Sequence, residues 1–268
     1  MDRMIFTILG CGSSPGVPRI GNDWGACDPS NSKNERLRCS LMAERVSEEG
    51  AQTRVIIDTS PDFRTQMIRE NVSRIDGVLY THSHADHIHG IDDLRGFWIK
   101  QRQRIDTYAD VPTAARLREA FSYCYEKPEG SSYPAILNEN IIQSGREVQI
   151  NGPGGPITAL PYEQIHGDIT SLGFRIGDFA YSSDLNALDD GAFDALSGVK
   201  TWVVDALRYT SHPSHFSVDE AIEAASRVKA ERVIFTHMHI DLDYETLKNE
   251  LPKGFEPAYD GLKVAYSL

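Results

Sequence analysis

The chain has 268 residues, 40% of them hydrophobic, which is enough to bury a sizeable core as one large domain or two small ones. Its net charge of −12 argues against broad contact with nucleic acid or an anionic membrane. The four cysteines, Cys11, Cys27, Cys39 and Cys124, show no C-x-x-C pair and no disulfide-scaffold spacing, so reduced thiols are expected.

The opening residues Met1-Asp2-Arg3-Met4-Ile5-Phe6 lack the long apolar region of a leader, and no apolar run reaches the roughly 18 residues of a membrane span. A cytoplasmic protein without membrane contact is therefore expected. Strands are predicted at Ile5–Leu9, Ser40–Glu44 and Arg54–Ile57. Ser60-Pro61-Asp62 predicts a helix start, with Ser as cap and Pro in the first turn, running to about Glu70. A strand follows at Gly77–Tyr80, then helices over His87–Trp98 and Pro112–Tyr125, with a loop at Gly130–Pro134. Further strands are predicted at Glu147–Ile150, Ile157–Tyr162, Leu172–Ile176, Phe179–Tyr181 and Thr201–Val204. Ser217-Val218-Asp219-Glu220 is a capping-box pattern opening a helix to about Lys229. The strand Arg232–Phe235, a short helix near Tyr244–Asn249 and a strand at Leu262–Tyr266 complete the chain. No linker, repeat or low-complexity tract divides it, so a single α/β domain over residues 1–268 is expected, with helices outside the sheets.

The densest chemistry lies in Thr81-His82-Ser83-His84-Ala85-Asp86-His87-Ile88-His89-Gly90, directly after an apolar run. Imidazole and carboxylate are preferred zinc ligands. His82 and His84 alternate, so an extended backbone points both to one side. Asp86 and His87 follow on a tighter turn and aim elsewhere, which suggests two adjacent metals. The other five histidines are His166, His212, His215, His237 and His239. His166, Asp184 and His237 each close a strand-like run, and such ends bring distant donors to one sheet edge.

The order Asp58, His82-x-His84-x-Asp86-His87, His166, Asp184 and His237 resembles the motifs of the metallo-β-lactamase-fold hydrolases, across nearly the whole chain. The opening Leu9-Gly10-Cys11-Gly12-Ser13-Ser14-Pro15-Gly16-Val17-Pro18 narrows the likeness to the phosphodiesterase branch. That branch contains ribonuclease Z and the cyclic phosphodiesterase of the carbon–phosphorus lyase pathway, and the second is the closer likeness. The resemblance implies a four-layer αββα sandwich. It implies His82, His84 and His166 on one metal, Asp86, His87 and His237 on the other, and Asp184 bridging.

The expected cofactors are two Zn2+, with Mn2+ compatible. The expected activity is hydrolysis of a small cyclic or nucleotide-like phosphodiester by a hydroxide shared between the metals. Asp86, Asp184 and His215 are the expected catalytic residues, and His215 matches the general acid of the related cyclic phosphodiesterase. Ser13, Arg95, Arg208 and His212 are candidate substrate contacts. Asp58 is expected to orient a ligand rather than bind metal, and His89 and His239 to touch neither metal. The related enzyme's cysteine-rich loop binds a structural zinc, whereas here only Cys27 remains, so that zinc is expected to be absent. No stable nucleic-acid complex is expected, and a homodimer is allowed for. Four alternatives stay open: tRNA 3′ processing, thioester or lactone hydrolysis, a di-iron redox site and a non-catalytic ligand-binding member of the fold.

Overall fold

A computed structural model describes residues 1–127 and 129–268. The first half of the chain builds one sheet. Strands β1 (Arg3–Gly10), β2 (Ser40–Val46) and β3 (Gln52–Ile57) form an antiparallel meander, and α1 (Phe63–Arg69) then leads to β4 (Gly77–Leu79). Helices α2 (Ala85–Ile88) and α3 (Leu94–Gln101), strand β5 (Ile105–Ala109), helix α4 (Val111–Tyr125) and strand β6 (Leu137–Ile141) follow. Strands β3 to β6 all run parallel.

The second half builds the other sheet from β7 (Val148–Ile150), β8 (Ile157–His166), β9 (Ile169–Ile176) and β10 (Phe179–Ser182). Helix α5 (Asp190–Leu196), strand β11 (Thr201–Asp205), helix α6 (Val218–Val228) and strand β12 (Arg232–Thr236) come next, then α7 (Tyr244–Glu250) and β13 (Phe255–Pro257). The last strand, β14 (Lys263–Ser267), crosses back to pair with β1, so both chain ends lie in the first sheet. The strand orders are β14-β1-β2-β3-β4-β5-β6 and β13-β12-β11-β10-β9-β8-β7.

The inner faces share one core: Phe6, Leu41, Val55 and Ile57 meet Phe174, Tyr181 and Val203. Phe6 stacks on Phe179 with ring centroids 3.9 Å apart. On the outer face of the first sheet, Phe63, Met67, Leu94, Phe97 and Leu117 from the helices pack on Ile56, Val78 and Ile105. Ala192, Leu196, Ala221 and Ala225 cover the second sheet. The result is a four-layer αββα sandwich. No helix among the described residues is long and apolar enough to cross a membrane.

Strand direction decides where the site falls. Strands β10, β11 and β12 are parallel, and β9 runs antiparallel to both β8 and β10, so β8 shares their direction. His166, Asp184, Asp205 and His237 therefore emerge at one edge, the carboxyl ends of the strands, where open α/β sheets commonly bind ligands.

Three local departures from the sequence reading have clear causes. The helix expected over His87–Trp98 is broken into α2, a 3-10 turn at Ile91–Asp93, and α3. The Gly90 N–H donates to the Thr59 carbonyl, and a Cβ at Gly90 would lie 2.1 Å from the Ser60 carbonyl oxygen. The close approach admits only glycine there, and the N–H bonded to Thr59 is lost to the helical ladder. Ser60 accepts the Asp62 N–H at 3.2 Å, and α1 begins only at Phe63. Strands β5, β6 and β13 and helix α5 were not anticipated. Of these, β6 and β13 are sheet edges, and β6 buries only Leu137.

Candidate metal centre

The donors converge. His82, His84, His166 and Asp184 bring ligand atoms within 4.8 Å of one another, and so do Asp86, His87, Asp184 and His237. Asp184 belongs to both sets. His84 Nδ1 and His166 Nε2 are 3.3 Å apart, and the His87 and His237 Nε2 atoms lie 3.1 and 3.4 Å from the two Asp184 oxygens.

Three of the rings, His82, His87 and His166, are fixed from behind. Asp58 accepts the Thr81 N–H and hydroxyl, each at 2.8 Å, and the His87 Nδ1–H at 2.7 Å. With its proton given to Asp58, the Thr81 hydroxyl accepts from His82 Nδ1 at 3.0 Å. His166 Nδ1–H donates to the Ser214 carbonyl at 2.6 Å. Each of these rings thus turns Nε2 toward the centre, the usual arrangement behind metal-binding histidines. Asp58 and His237 both hold positive φ, 64° and 56°, at strand ends. Such strain on non-glycine residues concentrates at functional sites.

Fit to a cation follows from what the protein leaves unpaired. His82 Nε2, His87 Nε2, His237 Nε2 and Asp184 Oδ1 are buried without a hydrogen-bond partner. Orphaned buried polar atoms each cost about 1–3 kcal/mol, and here four of them face one another. Burial pushes His82 and His166 down, His166 to about 4, so both are neutral near pH 7. Burial also opposes charge on Asp86 and Asp184, yet the imidazoles of His87 and His237 hold both carboxylates well below the usual range. His82 and His166 thus hold the neutral state that divalent metals require, whereas, against burial, the three surrounding carboxylates push His87 well up, so that metal binding there would release a proton. The residues present fit a pair of such ions.

Asp205 is the residue missed by sequence reading. It ends β11 as Asp184 and His237 follow β10 and β12, so the same strand-end signal was present. Its Oδ2 accepts His215 Nδ1–H at 2.7 Å and the Leu185 N–H at 3.2 Å, and Oδ1 lies 3.7 Å from His237 Nδ1. Burial pushes the His215 imidazole down. The His215 ring stacks on His237 at 4.6 Å and stands 4.7 Å from His166.

Of the proposed substrate contacts, Ser13, Arg208 and His212 line a pocket with His215 and His237. Arg95 does not. It pairs with Asp92 at 3.3 Å, lies over the Tyr133 ring and lines a separate groove between α1 and α3. The break at Gly90 starts α3 afresh at Leu94, and Arg95 goes with that helix. His89 packs edge-on against Phe121, away from the donors. His239 lines the same pocket as Ser13, with Nδ1 3.0 Å from an Asp241 oxygen, and belongs to neither donor set. Cys27 Sγ sits 3.4 Å from the Ile240 carbonyl and 3.9 Å from the Arg36 guanidinium.

Comparison with known proteins agrees with this geometry. Over its full span the chain is 35% identical to a new diphosphatase from the PhnP family, with a TM-score of 0.86, covering 99% of this chain and 98% of that one. It shares its fold with human tRNase Z, short form, at 17% identity and a TM-score of 0.62, covering 98% of each chain. A protein of Porphyromonas gingivalis named octanoyltransferase is 30% identical over 261 residues, which is 96% of this chain and 50% of that protein. The chain thus spans about half the length of that curated relative. The family described as Beta-lactamase superfamily domain matches residues 53–238, the stretch that carries every donor of the centre. The chain belongs to the β-lactamase superfamily and has the metallo-β-lactamase fold.

Proposed function

We propose that this hydrolase cleaves small phosphodiesters, cyclic or nucleotide-like, with a pair of divalent cations. The observation that carries the reading is His215, locked by Asp205 at 2.7 Å, beside the donor set and facing a pocket with Arg19 and Arg208. His82, His84 and His166 would hold one cation and Asp86, His87 and His237 the other, with Asp184 between them. Zinc suits these donors, manganese is compatible, and either would supply charge for phosphoryl oxygens and lower the pKa of a water.

The protein's own groups do the remaining work. Asp205 accepts the hydrogen bond from Nδ1–H, so the Nε2 side of His215 is free to give a proton to a departing alkoxide. Asp58, acting through Thr81 and His87, holds ligand nitrogens in place so that little rearrangement is needed.

Acyl transfer is the second reading, favoured by the octanoyltransferase relative. An eight-carbon chain needs apolar walls, and the pocket offers little beyond Pro15 and Leu207 among arginine, serine and histidine. That relative also carries as much sequence again outside the match. The polar, cationic lining supports phosphoryl chemistry at this site.

Replacing His215 with Ala tests the reading. Turnover of alkyl phosphodiesters should fall by roughly 10²–10⁴-fold and that of nitrophenyl esters far less, with metal content unchanged. Equal slowing of both leaving groups would reject the acid role.

A further inference from the structure

We infer that a second pocket at the metal centre, lined by Ser83, Asp110, Pro112, Thr113 and Ile169 beside His82, holds the ester group that stays on phosphorus and favours a short amino alcohol carrying a primary ammonium. The inference rests on the phosphodiesterase reading above and names the group that this side of the site takes.

The cavity measures about 250 Å3 and lies where the turn from β5 into α4 meets the β8–β9 hairpin. It shares no residue with the pocket of Arg19 and Arg208. It reaches the centre past His82, of the first donor set, whereas that pocket reaches it past His237, of the second. The two ester groups of a bound phosphodiester are thereby divided. The departing one lies with His215, which protonates it, and the retained one lies beside His82.

Charge tells the two pockets apart. One holds Arg19 and Arg208, whereas the other, among the described residues, has Asp110 as its one charged side chain and no lysine or arginine. Asp110 is half-buried and caps α4, its Oδ1 accepting the Thr113 N–H at 2.9 Å. A carboxylate offers about four lone-pair sites, so one such bond leaves both oxygens able to accept from a ligand. Thr113 is only 3% exposed, and its hydroxyl has no partner among the described residues. A primary ammonium brings three donors, and Asp110 with the Ser83 and Thr113 hydroxyls supplies the acceptors. Pro112 and Ile169 give apolar contact to the methylenes that carry it. No aromatic ring among the described residues lines the pocket, so a quaternary ammonium, which binds best in an aromatic cage, gains less there.

In the reaction, the oxygen of water bonds to phosphorus while the bond from phosphorus to the departing oxygen breaks, its electron pair leaving with that oxygen. The departing alcohol carries away the proton from His215. One hydrogen of water replaces that proton, and the other stays on the aminoalkyl phosphate monoester or passes to solvent.

The test uses the metal-loaded full chain with four p-nitrophenyl phosphodiesters whose second ester group is 2-aminoethyl, 2-trimethylammonioethyl, ethyl or 2-carboxyethyl. The kcat/KM values should fall in that order, the first at least tenfold above the last. Asp110→Asn keeps a good helix cap but removes the charge, so it should shrink that ratio about tenfold. By calorimetry, 2-aminoethyl phosphate should bind the unaltered protein at least tenfold tighter than ethyl phosphate, a readout that requires neither turnover nor a variant. Equal turnover of the four esters, an unchanged ratio in Asp110→Asn, or equal binding of the two monoesters overturns the pocket's assignment and leaves the phosphodiesterase reading standing. Turnover of none of the esters overturns both.

Discussion

Two buried polar clusters in this protein differ in whether their atoms find partners. Around Arg36, where Nε alone of the guanidinium nitrogens lacks a partner, Nη1 and Nη2 donate to the His239 and Leu242 carbonyls and to Asn34 Oδ1. Asn34 in turn bonds Asp28, Asp243 and the Tyr244 N–H. Across the pocket, the metal centre leaves His82, His87, His237 and Asp184 with unpaired atoms aimed at one another. A cluster whose polar atoms mostly pair with one another stabilises the fold, whereas one that leaves several atoms bare and facing one another is stabilised by something bound from outside.

The largest test of that difference is Asp184→Ala. Asp184 belongs to both donor sets, so metal content should fall from about two per chain to below one, and hydrolysis should vanish with it. Elemental analysis and turnover measured together check this, and full activity with both metals retained would break the comparison. Chelator should also lower the melting temperature of the unaltered protein while leaving the variant unmoved, because bound metal adds about 4 kcal/mol at a thousandfold excess over Kd.

Asp58→Asn comes next. It keeps the shape but weakens the charge behind His87 and Thr81, so metal affinity should drop about 10- to 100-fold in a competition titration. An unchanged affinity would mean that those hydrogen bonds do not tune the ligands.

At the Arg36 cluster, Arg36→Met strands the Leu242 carbonyl and Asn34. It should cost about 1–3 kcal/mol in urea unfolding, with the metal content of the purified protein unaltered. Loss of metal in that variant would show that the two clusters are coupled.

The smallest effect is expected at Asp243. Burial would raise its carboxyl, but the N–H groups of Thr246 and Asp28 and the Asn34 amide hold it down to about 2. A depressed carboxylate contributes stability above its unfolded value near 3.8, and that contribution fades as pH falls toward 2. Asp243→Ala should therefore cost about 1 kcal/mol at pH 6, through loss of the α7 cap, and the gap should narrow between about pH 4 and pH 2. A gap independent of pH would assign the loss to packing instead.

How far the sequence can be read depends on the range of the interaction. The spacing of His82, His84, Asp86 and His87 is local, and backbone periodicity alone separates the four donors into two pairs. The capping box at Ser217 and Glu220 is local too, and the helix begins there as predicted. Gly90 is different. Its effect on the helix comes from Ser60, thirty residues earlier, and nothing in the neighbouring sequence announces that contact. Arg95 lies in a separate groove for the same reason, since its direction depends on where α3 restarts.

The residue types and intervals by themselves determined that this chain gathers imidazoles and carboxylates at strand ends, because ligand chemistry and backbone period are properties of short segments. Only the tertiary structure decided that Asp205 locks His215, that Arg19 joins Arg208 beside it, and that Arg95 lies elsewhere. Those relations arise between strands and loops far apart in sequence, and their geometry exists only once the two sheets have packed face to face.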